Sequence, residues 1–208
     1  MELRILRTPN SKSELGSVES SIDSDSRMGK KRLTDMKMQM AITGRGGQGV
    51  LFLTKILTEC ALELGEEVIA SEIHGMAMRG GSVISTLKVG NFRGPLIRGG
   101  QADLMLVLDE GSMEAFTYLL SKKGTLLLNA ETSRSYPCID ATGLAAGMGS
   151  PLMANLVLLG FALRHRILFC DYPLVKSVTE RGSPPRFKEV NVKALNLGFL
   201  SDGEKKPR

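Results

Sequence analysis

Cysteine is scarce in this chain and badly placed for metal chemistry. Cys60, Cys138 and Cys170 are its three cysteines, an odd number at wide spacings with no C-x-x-C pair. Neither a disulfide framework nor an iron–sulfur or zinc cage can be assembled from them within one chain. They read as buried, reduced thiols of a cytoplasmic protein, with Cys60 on a core-facing helix position. Long apolar runs are missing too, so nothing crosses a bilayer. The basic residues are scattered without aromatic interleaving, and a net charge of +5 over 208 residues is modest. Nucleic acid is therefore a poor fit as a partner. No apolar central run precedes a small-residue cleavage site at the N-terminus, so a signal peptide is not expected. No internal repeat is visible.

What is present divides into three parts. Residues 1–35 are rich in Ser, Asp and Glu (SKSELGSVESSIDSDSR), with seven Lys or Arg against six Asp or Glu. Such a segment cannot bury enough apolar surface to offset its ordering entropy, and a disordered tail is expected. Met36 and Met38 stand immediately before the first strand, where an alternative translation start would fall. Residues 36–200 carry the globular pattern, and 201–208 are a second tail.

Within 36–200, strands and helices alternate. A strand is expected over 37–43 and a helix over 49–64, with Val50, Leu53, Leu57, Ala61 and Leu64 at three- and four-residue steps and Gly65 as the stop. EEVIAS and SVISTLKVG read as strands, and DLMLVL (103–108) as a strand buried on both faces. A helix over 112–121, the strand TLLLN, and a further strand in YPCIDA follow. From Pro151 onward three helical stretches are expected, PLMANLVLLGFALRH, DYPLVKSVTERG and PPRFKEVNVKALNLGF. The fold class is α/β: a single doubly wound, largely parallel sheet with helices on both faces and a helical C-terminal part.

The loop GRGGQG joins the first strand to the first helix, with Gly44, Gly46 and Gly49 in the G-x-G-x-x-G spacing of a dinucleotide loop. Glycines allow a sharp turn and close approach, and N–H groups at a helix start attract anions. Glu72, at the end of the second strand, stands where the ribose-binding acid of such a fold belongs. Two features oppose that reading. Gly47 and Gln48 add an extra glycine and a polar amide. Glu72 also opens an unusual segment, EIHGMAMRGGSVIS, where a crossover helix would be expected. His74, Arg79, Gly80, Gly81 and Ser82 crowd there, and should lie near the glycine loop at the carboxyl edge of the sheet. No G-K-[ST] ends the loop, so it is not a Walker A motif.

GRGGQGV followed by SEIHGMAMRGGSV resembles the gamma-type subunits of the 2-oxoacid:ferredoxin oxidoreductases (the pyruvate/ketoisovalerate oxidoreductase catalytic domain). The likeness is closest to the beta subunit of indolepyruvate ferredoxin oxidoreductase. It extends through PLI at 95–97, ADLMLVLDEGSMEAF at 102–116, the NLVLLG run from Asn155, and the helix holding Asn191, Ala194 and Gly198. It departs where that family often has an unbroken Glu and this chain has Asp109 then Glu110.

The resemblance implies oxidative decarboxylation of a 2-oxoacid to an acyl-coenzyme A, with electrons passing to ferredoxin. The HGMA-x-RGGS form favours an aryl-pyruvate such as indolepyruvate. No thiamine diphosphate signature is present here, so thiamine diphosphate, magnesium and [4Fe-4S] clusters are expected on a larger partner subunit, with coenzyme A as co-substrate and no cofactor bound by this chain alone. The glycine loop then completes the active site or coenzyme A path, docks the partner, or is an internal tight turn. Arg79 could fork onto a carboxylate or phosphate, or pair with Glu72. His74 could transfer protons or merely hydrogen-bond a neighbouring loop. Gln48 either orients a ligand or ties down its own loop. Met76 and Met78 suit interface or core packing, and Asn155 and Asn191 suit capping or bridging of helices, with a binding role as the alternative. Two rival functions are a free-standing dinucleotide enzyme built on GRGGQG and Glu72, and a non-catalytic partner kept for assembly or regulation.

Overall fold

The computed structural model describes residues 36–74 and 81–202, with the backbone alone of His74. The expected tail over 1–35, the end of the chain from 203, and Met76, Met78, Arg79 and Gly80 lie outside the described residues.

Six strands form one sheet: β1 (Met38–Arg45), β2 (Val68–His74), β3 (Ser82–Val89), β4 (Ala102–Val107), β5 (Leu120–Asn129) and β6 (Cys138–Ile139), in the order β2-β3-β1-β4-β5-β6. β4 runs parallel to β1, β5 to β4, and β6 to β5. β3 is the exception, antiparallel to both β1 and β2. The reason is chain length. Only residues 75–81 join β2 to β3. A parallel crossover needs about a dozen residues or more, so the chain can only turn back.

Helix α1 (Val50–Glu63) carries the chain from β1 to β2. Val50, Leu53, Leu57, Cys60 and Ala61 are buried as the spacing predicts, whereas Leu64, the C-cap, is exposed. The apolar run of β4 is buried on both faces. Leu104, Leu106 and Leu108 enter one core, and Met105 and Val107 the other. The two cores are covered unequally. α1, α3 (Ala141–Gly147), α4 (Ala154–Arg164), α5 (Tyr172–Gly182) and α6 (Pro185–Leu200) belong to the first. The second is closed by short α2 (Glu110–Met113), a 3-10 turn at Thr117–Leu119, and the loop after β3. Lys88 holds that loop: its ammonium donates to the Leu96 carbonyl and sits 5.1 Å over the Phe92 ring. Burial, then the charge of Arg98, lowers the Lys88 pKa.

Two expectations need correction. The helix over 112–121 is broken: after α2 and the 3-10 turn the chain is already in β5 from Leu120. Leu119 and Leu126 on either side of that start are both drawn into the second core, so packing prevails over local helix propensity. The strand in YPCIDA shrinks to Cys138–Ile139, and α3 follows, its N-terminus capped by Asp140 Oδ1 accepting from the Gly143 N–H at 2.7 Å. The three C-terminal helices fall where expected. α5 is capped in the same way, Asp171 Oδ1 accepting from the Leu174 N–H at 3.1 Å.

Candidate functional site

β1, β2, β4, β5 and β6 end at one edge of the sheet, where β3 begins. From β1 the chain departs towards β2 and β3, and from β4 towards β5 and β6. The crevice between β1 and β4 is thus the topological switch point, the place where open α/β sheets hold ligands. Gly44 and Arg45 close β1, and Gly46–Gly49 turn the chain into α1.

The turn is fastened on every side. The Gly46 N–H donates to the Gly81 carbonyl at 3.1 Å, so the expected neighbourhood of the glycine loop and the segment before β3 is present in its described part. Ser82 is opposite Arg45 in the β1–β3 ladder. Gln48 ties down its own loop: its N–H donates to the Arg45 carbonyl at 3.1 Å, and its Oε1 accepts from the Arg45 N–H at 2.7 Å. Asn155, buried at the start of α4, donates to the Gly49 carbonyl at 3.4 Å and accepts from the Leu156 N–H. Asn191 likewise bridges helices, its amide donating to the Ser183 hydroxyl at the end of α5. Both asparagines therefore join elements.

Several residues at this edge carry no motif. Arg45 Nε lies 3.0 Å from Asp109 Oδ1, and the Arg45 side chain is 59% exposed against 16% for Asp109. Asp109 Oδ2 is buried without a hydrogen-bond partner among the described residues. The Thr43 hydroxyl lies 3.1 Å from the Val83 carbonyl and 3.2 Å from the Ser112 hydroxyl, knitting β1, β3 and α2. Asn129, at the end of β5, donates to the carbonyl of Leu108 and the hydroxyl of Thr142. The signal available in sequence was positional: a polar residue directly after an apolar strand, as at Asp109 and Asn129, marks a carboxyl strand end.

Glu72 and His74 belong to β2 itself, not to the loop. Across the ladder Glu72 is level with Ser85, and Ser85 with Ile42. With β3 wedged between, Glu72 stands two strand spacings from β1, roughly 9–10 Å. It is also level with mid-strand, two residues short of Gly44. That is not where an acid would meet a ribose on the glycine loop. An open pocket of about 390 Å³ remains beside the turn, lined among others by Arg45, Gly46, Gly49, Leu51, Phe52 and Val83. Leu51 in that lining is 39% exposed. Among the described residues the edge thus combines the Arg45 cation with an apolar rim.

The cysteines do not fit an iron–sulfur cluster. Cys60 and Cys170 belong to the first core and Cys138 to the second, with the sheet between them. No group of three metal-ligating side chains occurs among the described residues, and none of the described helices is long and apolar enough to cross a membrane.

The model of the family described as pyruvate ferredoxin/flavodoxin oxidoreductase matches residues 39–201. Indolepyruvate oxidoreductase subunit IorB of Archaeoglobus fulgidus is 27% identical over 190 residues, covering 79% of this chain and 94% of its own. Pyruvate synthase subunit PorC of Methanothermobacter marburgensis is 28% identical over 174 residues, covering 78% and 96%. In fold, the chain is similar to the crystal structure of pyruvate oxidoreductase subunit PORC from Thermotoga maritima, with a TM-score of 0.67, 24% identity and coverage of 78% and 95%. The match over residues 39–201 takes in most of the chain, and the chain belongs to the pyruvate ferredoxin/flavodoxin oxidoreductase family.

Proposed function

We propose that this chain is the gamma-type subunit of a 2-oxoacid:ferredoxin oxidoreductase acting on indolepyruvate or another aryl-pyruvate, and that it completes the complex without carrying the redox cofactors. The separation of its cysteines into two cores supports placing the iron–sulfur clusters, with thiamine diphosphate and magnesium, on a larger partner subunit. The likeness to the indolepyruvate subunit, together with the SEIHGMAMRGGSV segment, supports the aryl-pyruvate substrate.

The observation that carries the role of the glycine edge is its own fastening. Gly46 and Gln48 N–H groups are engaged within the subunit, by Gly81 and Arg45, so the turn is rigid before any partner arrives. A rigid turn bearing exposed Arg45 and an apolar rim of Leu51 and Phe52 suits docking against the partner beside its active site. The displaced Glu72 weighs against a dinucleotide in the same crevice.

The test is reconstitution without oxygen. The purified chain, the thiamine-bearing subunit and the mixture are assayed for coenzyme A-dependent dye reduction with indolepyruvate, pyruvate and 2-oxoglutarate. Turnover is expected from the mixture alone and fastest with indolepyruvate. Turnover by the single chain would overturn the subunit reading, and a preference for pyruvate would overturn the substrate.

A further inference from the structure

The two edges of the sheet are unlike. At one, β6 is a strand of two residues, Cys138–Ile139. At the other, β2 runs for seven, Val68–His74, and pairs with β3 without a register shift. Among the described residues no strand pairs with the outer side of β2. Long edge strands are commonly blunted by proline, lysine or a bulge, and VIASEIH has none of the three. The Ser71 carbonyl oxygen lies 3.4 Å from the hydroxyls of Ser85 and Thr86, both on β3. Ser71 therefore turns its backbone groups inward, and alternation turns those of Val68 and Ala70 outward. Val68 and Ala70 enter the first core, so Ile69, Ser71 and Ile73 face the other side of the sheet. There Ile73 is 42% exposed and Ile69 half-buried.

We propose that β2 is the pairing strand of a homodimer, antiparallel to β2 of a second copy, so that the two sheets become one. The twofold axis runs through the sheet, and its centre can fall on Ala70, Ser71 or Glu72. Centred on Glu72, it sets two carboxylates directly opposite, which is destabilising. Centred on Ala70, it leaves Ile73 opposite Glu67 and Ile69 opposite Ser71. Centred on Ser71, it sets each Ile73 opposite Ile69 of the second copy, an aliphatic pair made twice. The Glu72 carboxylates are then only diagonal neighbours, about 7–8 Å apart. The Ser71 centre is the register the side chains select.

The backbone agrees with that choice. With Ser71 facing inward, Ile69, Ser71 and Ile73 form the pairs without ladder hydrogen bonds, where opposite Cα atoms approach to about 4.5 Å. The two isoleucine pairs thus meet at the closest spacing, and the outward groups of Val68 and Ala70 gain ladder partners. This self-complementarity is what names a second copy as the occupant. A strand from another protein would need its own apolar residues at matching positions. Seven paired residues are little beside a standard interface of about 1,600 Å², so the dimer should dissociate on dilution. β3 separates β2 from β1, so this contact is distinct from the docking proposed at the glycine turn and does not rest on it.

The experiment uses the full chain and reads association, not activity. Sedimentation over a dilution series should show the mass double as concentration rises. In the unmutated chain the Ala70 amide should be protected from hydrogen exchange in the dimer and lose that protection on dilution. Ile73→Lys, an exposed edge substitution, should keep its unfolding midpoint and sediment at the mass of one chain throughout. Mixing Ile69→Cys with Ile73→Cys under mild oxidation should give a disulfide between positions 69 and 73 of different chains, located by peptide mapping. Two results on the unmutated chain overturn the proposal, whatever the variants do. One is the mass of a single chain at the highest soluble concentration. The other is a dimer in which the Ala70 amide exchanges as fast as in the monomer. A dimer that survives Ile73→Lys places the contact elsewhere and also overturns it. So does Ala70 protection that appears only when the thiamine-bearing subunit is added, which would give the edge to that subunit.

Discussion

Asn155 stands over Gly49 so closely that a Cβ added to the glycine would lie 2.1 Å from the asparagine Nδ2. Gly49 also has φ of +78°, a region that side-chain-bearing residues adopt with strain. Gly49→Ala should therefore destabilise the chain by about 1–3 kcal/mol for the backbone, with the clash added. In an Asn155→Ala background the clash is gone and only the backbone cost remains. Urea unfolding of the single and double variants gives the coupling. Identical costs in both backgrounds would remove Asn155 from this account.

The Arg45–Asp109 pair should separate stability from assembly. Because Arg45 is mostly exposed, Arg45→Ala should cost less than about 1 kcal/mol of folding stability. If the glycine edge meets the partner, Arg45→Glu should slow association by about tenfold or more and make it less sensitive to salt. Stopped-flow or surface-binding kinetics at two ionic strengths read this directly. Unchanged association would place the docking face elsewhere.

α4 and α6 cross at backbone contact. A Cβ on Gly160 would stand 2.0 Å from the Leu195 carbonyl oxygen, which cannot move without shifting the helix. Gly160→Ala should cost about 1–3 kcal/mol or more through overpacking. Gly147→Ala, in α3, meets nothing within 4 Å and should be neutral or slightly stabilising, which makes it the control. Thermal unfolding of the two variants side by side decides the matter.

His165 adds a weak dependence on pH. Its ring meets Phe161 edge-on at 4.4 Å between centroids, and burial, then the neighbouring Arg164 charge, holds its pKa below the ordinary 6.5. The unfolded chain then binds the proton first. Stability is unaffected above that value and falls as pH drops from 6.5 towards the lowered folded pKa. His165→Gln should flatten this part of the profile in urea titrations at stepped pH. A variant with the same slope as the parent would assign it to other groups.

The displaced Glu72 predicts weak dinucleotide binding. Calorimetric titration with NAD, NADP and FAD should show no micromolar binding to the isolated chain. A micromolar affinity that is lost on Glu72→Ala would restore the dinucleotide reading.

Much of this protein was legible in its sequence because the signals were local. The periodicity of Val50, Leu53, Leu57 and Ala61 marks α1, the unbroken apolar run of 103–108 marks a strand buried on both faces, and the prolines and Asp171 bound the C-terminal helices. The ordered pair GRGGQGV and SEIHGMAMRGGSV carried the family. Helix 112–121 failed because its apolar residues answer to the second core, a demand that no local window contains. The direction of β3 depended on a count, seven residues against the length of a crossover, and only its wedging between β1 and β2 moved Glu72 off the glycine turn. Arg45 with Asp109 and Thr43 with Ser112 are contacts across 64 and 69 positions. Side-chain chemistry along a chain states what each residue can do, but pairing at such separations exists only once the sheet order has brought the partners together.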